Sequence, residues 1–146
     1  MLPTVKTLGT EKTSETANRP RILLIPGSLR RESFNRTLAE RAGLLLRDRA
    51  QTELLDFAEV PLFNQDQERP APEAVRRVRE AVRAADGVWF FTPEYNHSFP
   101  GVLKNLIDWL SRPISKEERQ VLYKKPAAIS GITPGMTGRP GKCPWK

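Results

Sequence analysis

The sequence predicts an α/β fold, a doubly wound parallel sheet held between two layers of helices. Three observations predict it. Short, wholly apolar runs at residues 22–25 and 88–91 read as strands buried on both faces, as in a parallel sheet. Amphipathic stretches of helical period lie between the runs. Strand and helix signals alternate from end to end, the order that wraps helices over both faces of one sheet.

Residues 1–19 are polar, with Thr at 4, 7, 10, 13 and 16, and hold too few apolar side chains to order themselves. They read as a flexible tail ahead of a domain at 20–138. The first strand, Ile22-Leu23-Leu24-Ile25, is closed by Pro26-Gly27. A helix follows over 34–50, with Phe34, Leu38, Ala42, Leu45 and Leu46 at helical spacing. Leu54, Leu55 and Phe57 suggest a second strand, and 61–72 a loop. Residues 73–85 put Val75, Val78, Val82 and Ala85 on one face of a second helix, ended by Asp86-Gly87. The third strand, 88–91, is closed by Thr92-Pro93. Pro100-Gly101 opens a third helix, reaching Arg112, with Val102, Leu103, Leu106, Ile107 and Leu110 inward. A fourth strand is expected at 127–132, and an irregular tail at 139–146.

The length of 146 residues suits one domain. Lys and Arg number 24 against 17 Asp and Glu, a net +7 that invites an anionic partner. The basic residues are dispersed, with no aromatic interleaving, so nucleic acid is not the expected partner. One cysteine excludes an intramolecular disulfide, and one histidine argues against a zinc cluster. Cys143 reads as an exposed thiol without a role. No stretch of about 20 apolar residues is present, and the N-terminus lacks a signal-like apolar core. A soluble cytoplasmic protein is the expectation, with no membrane partner.

In doubly wound sheets ligands sit beyond the carboxyl ends of the strands. The loop after the first strand, residues 27–35, offers the hydroxyls of Ser28 and Ser33, the Asn35 amide, the Arg30 guanidinium and the free N–H groups of a helix start. That set makes a phosphate cradle. It lacks the Gly-Lys-Ser/Thr of a Walker A loop and the G-x-G-x-x-G of a dinucleotide loop. A plain helix start, with Ser33 as N-cap, is the alternative. In the loop after the third strand, Pro93 stiffens the exit, Tyr95 can face a planar ring, and Asn96 can bond a heterocycle's polar edge. A surface loop with Tyr95 and Phe99 packed down is equally compatible. His97 could serve as an acid or base, though a lone loop histidine is more often a surface residue.

Together these loops resemble the NADPH-dependent FMN reductase family, of flavodoxin-like fold, and most of all its chromate- and quinone-reducing members. The resemblance rests on Gly-Ser-Leu-Arg at 27–30, Ser33-Phe34-Asn35, Pro61-Leu62-Phe63-Asn64, Ala85-Asp86-Gly87-Val88, Thr-Pro-Glu-Tyr-Asn at 92–96 and 100–112. It covers about residues 20–135. It implies FMN as cofactor, with its phosphate held by Ser28, Arg30, Ser33 and Asn35 around Phe34. Its ring would be lined by Pro93, Glu94, Tyr95 and Asn96, with Thr133 a third contact. The implied activity passes two electrons from NADPH or NADH through FMN to a quinone, azo compound, metal oxyanion or free flavin. FMN carries that chemistry, so no catalytic side chain and no metal is implied. The alternative is a flavodoxin-like electron carrier without substrate turnover, which the +7 charge disfavours. Relatives continue with a fifth strand and a last helix, which the Pro/Gly-rich residues 138–146 cannot form. The fold is therefore expected to lack both, with the fourth strand left as an edge and apolar surface bared near 22–25. A family-like homo-oligomer is the corresponding expectation for assembly, with the short C-terminus acting against it.

Overall fold

Two apolar strands form the centre of the sheet. In the computed structural model, which describes residues 19–132, β1 (Arg21–Pro26) pairs in parallel with β2 (Gln51–Leu54) on one side and β3 (Gly87–Phe91) on the other. β4 (Ala127–Ser130) adds to the far side of β3, giving the order β2-β1-β3-β4. The tail readings for 1–18 and 139–146, and those for Thr133 and Cys143, lie outside the described residues.

Side chains alternate across the sheet, and helices cover the centre of β1 and β3 from both faces. Leu23 and Ile25 of β1 and Val88 and Phe90 of β3 form one core with α2 (Glu73–Ala84) and α3 (Gly101–Leu110). Leu24 and Phe91 face α1 (Phe34–Leu46), where Ala39 and Ala42 let the helix lie close. Val75, Val78 and Val82 of α2 are fully buried, as their spacing predicts.

Three sequence expectations need correction. The inward face of α1 is Asn35, Ala39 and Ala42, with Leu38 half-buried. Phe34 is 57% exposed and Leu45 84%. Leucines occur all round the last turns of this helix, so apolarity alone does not choose its face. The helix also stops at Leu46, not at residue 50. β2 precedes its expected place: Leu55 and Phe57 lie just beyond its end and enter the core from the loop.

Buried Arg79 ties α2 to α3, donating from Nη2 to the Trp109 carbonyl at 3.0 Å. That carbonyl is in the last turn of α3, where intrahelical partners run out. Burial lowers the pKa of the Arg79 guanidinium, and Glu68 acts in the opposite direction. Trp109 is fully buried and donates its indole N–H to the Pro61 carbonyl at 2.8 Å. Trp109→Phe keeps a ring but loses that bond and some volume. It should destabilise the domain by about 1–3 kcal/mol, read as a lower denaturant midpoint with unchanged slope.

β4 is short, its first three residues are exposed, and Ile129 is 56% exposed. An apolar cleft of about 420 Å³ opens beside it, walled by Ile22, Leu46, Val88, Trp89, Ala127 and Ala128 among others. Among the described residues no helix is long and apolar enough to cross a membrane.

Candidate functional site

Three loops leave the carboxyl ends of β1, β3 and β4 and meet around Thr92. The Gly27 N–H donates to the Phe91 carbonyl at 2.7 Å, and the Thr92 N–H to the Ser130 carbonyl at 2.9 Å. A Cβ on Gly27 would lie 2.8 Å from Thr92 Oγ1 and 3.1 Å from a Leu103 methyl. A Cβ on Gly131 would lie 2.2 Å from the Thr92 carbonyl oxygen. Gly131 requires glycine because the neighbouring backbone is too near for any side chain, whereas at Gly27 the side chains of Thr92 and Leu103 would have to shift.

At the first loop Ser33 takes extended backbone angles, and its Oγ accepts the Arg36 N–H at 3.3 Å. It is therefore the N-cap of α1. Its hydroxyl proton remains available, since a hydroxyl accepts and donates together. Ser28 Oγ likewise accepts the Arg30 N–H at 3.3 Å. The Arg30 side chain has no carboxylate partner among the described residues.

Asn35 is 3% exposed, and both ends of its amide are engaged by one residue of the third loop. Nδ2 donates to the Ile132 carbonyl at 2.9 Å, and Oδ1 accepts the Ile132 N–H at 2.9 Å. The side chain thus pairs with backbone as a neighbouring strand would, and it fastens the loop after β4 to the start of α1.

The loop after β3 contains a tight two-residue turn. Tyr95 and Ser98 exchange backbone bonds of 2.8 and 3.0 Å, with Asn96 at φ 52° and His97 at φ 60°. This left-handed pair matches the twist of a tight hairpin, and Asn tolerates it well. His97 is out in solvent at the tip, its Nδ1 3.5 Å from Glu94 Oε1.

A cavity of about 270 Å³ joins the loops. Ser28, Arg30, Ser33, Phe34 and Asn35 line it from the first loop. Pro93, Glu94 and Tyr95 line it from the second, and Ile132 from the third. Asn96 does not line it: it is exposed at the turn's tip. Of these, Ile132 escaped the sequence reading, as did the close approach of Gly131 to Thr92. The one local signal was a glycine just past the end of a strand.

The cavity suits an anion bearing a flat ring. Hydroxyl and guanidinium donors sit beside the first N–H groups of α1, where the helix dipole favours negative charge. Pro93 and Tyr95 give a firm apolar surface a few residues away. The donor chemistry therefore fits a phosphate-bearing flavin such as FMN.

The parallel sheet ordered 2-1-3-4, with its polar loops at the carboxyl ends, defines a flavodoxin-like α/β domain. Residues 20–140 match the profile of the NADPH-dependent FMN reductases. The chain belongs to that family. It is 45% identical over 119 residues to an NAD(P)H-dependent FMN reductase of Pseudomonas aeruginosa, covering 81% of this chain and 62% of that protein. It is 41% identical over 118 residues to a 2-hydroxy-1,4-benzoquinone reductase of a Burkholderia species, covering 81% and 63%. Among solved structures it resembles FerB, a flavoenzyme NAD(P)H:(acceptor) oxidoreductase from Paracoccus denitrificans. That match has a TM-score of 0.73 and 37% identity, over 80% of this chain and 63% of FerB. The chain thus spans less than two thirds of the length of these relatives.

Proposed function

We propose that this chain binds FMN and passes two electrons from NADPH or NADH to a quinone-class acceptor. The observation that carries the reading is the single cavity shared by Arg30, Ser28 and Ser33 on one loop and Pro93 and Tyr95 on another. Family membership and the quinone reductases among the relatives support it. Azo compounds, metal oxyanions and free flavin are further acceptors for the same site.

Bound FMN supplies the two-electron chemistry between donor and acceptor. The residues do the rest. Arg30 neutralises phosphate charge, and the Ser28 and Ser33 hydroxyls donate to phosphate oxygens. Pro93 fixes the exit of β3, and half-exposed Tyr95 lies against the ring. Asn35 acts through Ile132, holding the third loop beside the site. Overall, NAD(P)H, a proton and a quinone give NAD(P)⁺ and a hydroquinone. The proton can come from water at this open site, so no acidic side chain is required.

Two measurements test the proposal. The purified chain, supplied with FMN, should show the visible absorbance of protein-bound oxidised flavin. Initial rates with a nicotinamide and a quinone should give parallel reciprocal lines, because donor and acceptor use one site in turn. Intersecting lines, or a chain that fails to retain FMN, would overturn the proposal.

A further inference from the structure

The apolar cleft beside β4 lies at the amino ends of the strands, the opposite end of the sheet from the cavity that joins the three loops. Ile22 and Leu46 form one wall, and Gly87 at the start of β3 and Ala127 at the start of β4 the other. Next to Leu46, in the last turn of α1, Leu44 is 60% and Leu45 84% exposed. Cleft and leucines together leave a broad apolar surface in water. A surface of that kind is one that meets something else.

The chain itself enters the domain at this cleft. Pro20 lines it, and the Arg19 guanidinium donates to the Arg47 carbonyl at 2.9 Å, which fixes the approach beside the end of α1. The sequence ahead of that point has a period of three. Five successive triplets end in threonine: Leu2-Pro3-Thr4, Val5-Lys6-Thr7, Leu8-Gly9-Thr10, Glu11-Lys12-Thr13 and Ser14-Glu15-Thr16. Their first positions are Leu2, Val5, Leu8, Glu11 and Ser14. Extended backbone of the polyproline type has three residues per turn, so in it these positions would share one edge, about 9 Å apart. β1 and β4 stand two strand spacings apart, about 10 Å. Two neighbouring apolar positions of the segment therefore match the width of the cleft. Among the described residues, Arg49 is the one charged residue in the walls and has no carboxylate partner. Glu11 follows Leu8 on the apolar edge.

We infer that residues 2–11 of the same chain occupy this cleft, with Leu8 against Leu46, Val5 toward Trp89 and Ala128, and Glu11 beside Arg49. The link back to Arg19 is then residues 12–18, and seven residues span about 13–16 Å as a random coil. That is enough to turn from Arg19 onto the cleft. At such a length the local concentration of the segment is in the millimolar range, so a contact too weak to hold between separate molecules forms within one. The segment has too few apolar side chains to order alone, and the cleft supplies the surface it lacks. The inference is independent of the flavin reading.

Two measurements on the FMN-free chain test it. Val5→Ser with Leu8→Ser should lower Tm by about 3–6 °C, whereas Thr4→Ser with Thr7→Ser, on a different edge, should change it by less than about 1 °C. Ala128→Lys places a charge in the cleft at an exposed residue. In that background the Val5 and Leu8 substitutions should have lost most of their effect, because groups in contact are not additive. An unchanged Tm, or the same decrease in both backgrounds, would leave the cleft to another occupant and overturn the inference. The second measurement is direct. Val5→Cys and Ala128→Cys, with Cys143→Ser to remove the natural thiol, should form a disulfide within one chain under mild oxidation, at a rate independent of protein concentration. Linked dimers whose yield rises with concentration would assign the cleft to a second copy, and no disulfide at all would show that the segment does not reach it. Either result overturns the inference.

Discussion

Arg30→Ala is expected to weaken FMN binding by roughly tenfold to a hundredfold. A hydrogen bond from a charged group to phosphate is worth about 1.5–3 kcal/mol, and each 1.4 kcal/mol is about a factor of ten. Arg30 lines the cavity and has no carboxylate partner among the described residues, so its removal breaks no ion pair among them. It is exposed, and melting of the FMN-free protein should be unaffected. The neighbouring Arg31 is also exposed but does not line the cavity. Arg31→Ala should therefore change affinity by less than about threefold at physiological salt, where an exposed charge is largely screened. A fluorescence titration of FMN against both variants separates direct contact from general positive charge. Equal losses would show that Arg30 acts only through the chain's basic field.

How much of this was legible in the sequence varies with the range of the interaction. β1 and β3 could be read because their whole burial is written in four consecutive apolar residues. α2 could be read because Val75, Val78 and Val82 stand against charged neighbours. The face of α1 could not, since apolar residues surround its later turns and tertiary contact chooses among them. Leu45 points outward while Asn35 turns in, and the cause of the latter is a partner 97 residues away. No local period carries that information. The same holds for β2. Among the described residues it is an edge strand paired on one side only, and the apolar residues Leu55 and Phe57 that drew attention are loop residues that fill the core.

The candidate site divides in the same way. Its donors are contiguous in sequence, and eight of the ten expected residues line one cavity: five from the first loop and three from the second. What the sequence could not convey was the division of labour within them. Asn35 has the chemistry of a phosphate ligand, but its amide is engaged by the backbone of Ile132. Asn105, a helix residue with no apparent role, uses the same pairing to hold Pro61 and Phe63. Each asparagine stands in for a missing strand, and each fixes a loop that has no ladder of its own. The tight turn at Asn96 and His97 follows from two left-handed residues, which nothing in the spacing of the loop specified.

Gly131→Ala should cost both stability and cofactor, although it adds a single methyl group. The new Cβ would stand 2.2 Å from the Thr92 carbonyl oxygen, a backbone atom that cannot rotate aside. Relief requires either the exit of β3 or the loop after β4 to move. Movement of the first disturbs Pro93 and Tyr95. Movement of the second stretches the paired 2.9 Å bonds between Asn35 and Ile132. Overpacking of this kind costs about 1–3 kcal/mol, or roughly 3–9 °C in Tm for a chain of this size. FMN affinity should fall at least tenfold, because the cavity is built from all three loops (the estimate is again about 1.4 kcal/mol per decade). Gly101→Ala is the matched control. Its Cβ enters open space at the first turn of a helix, where Ala is favoured over Gly. It should leave Tm unchanged or raise it by a few degrees, with FMN held as before. Differential scanning calorimetry and an FMN titration on the pair decide the matter. If Gly131→Ala melts with the unaltered chain and holds FMN equally well, the three loops are not coupled through Thr92, and the third loop has no part in the site.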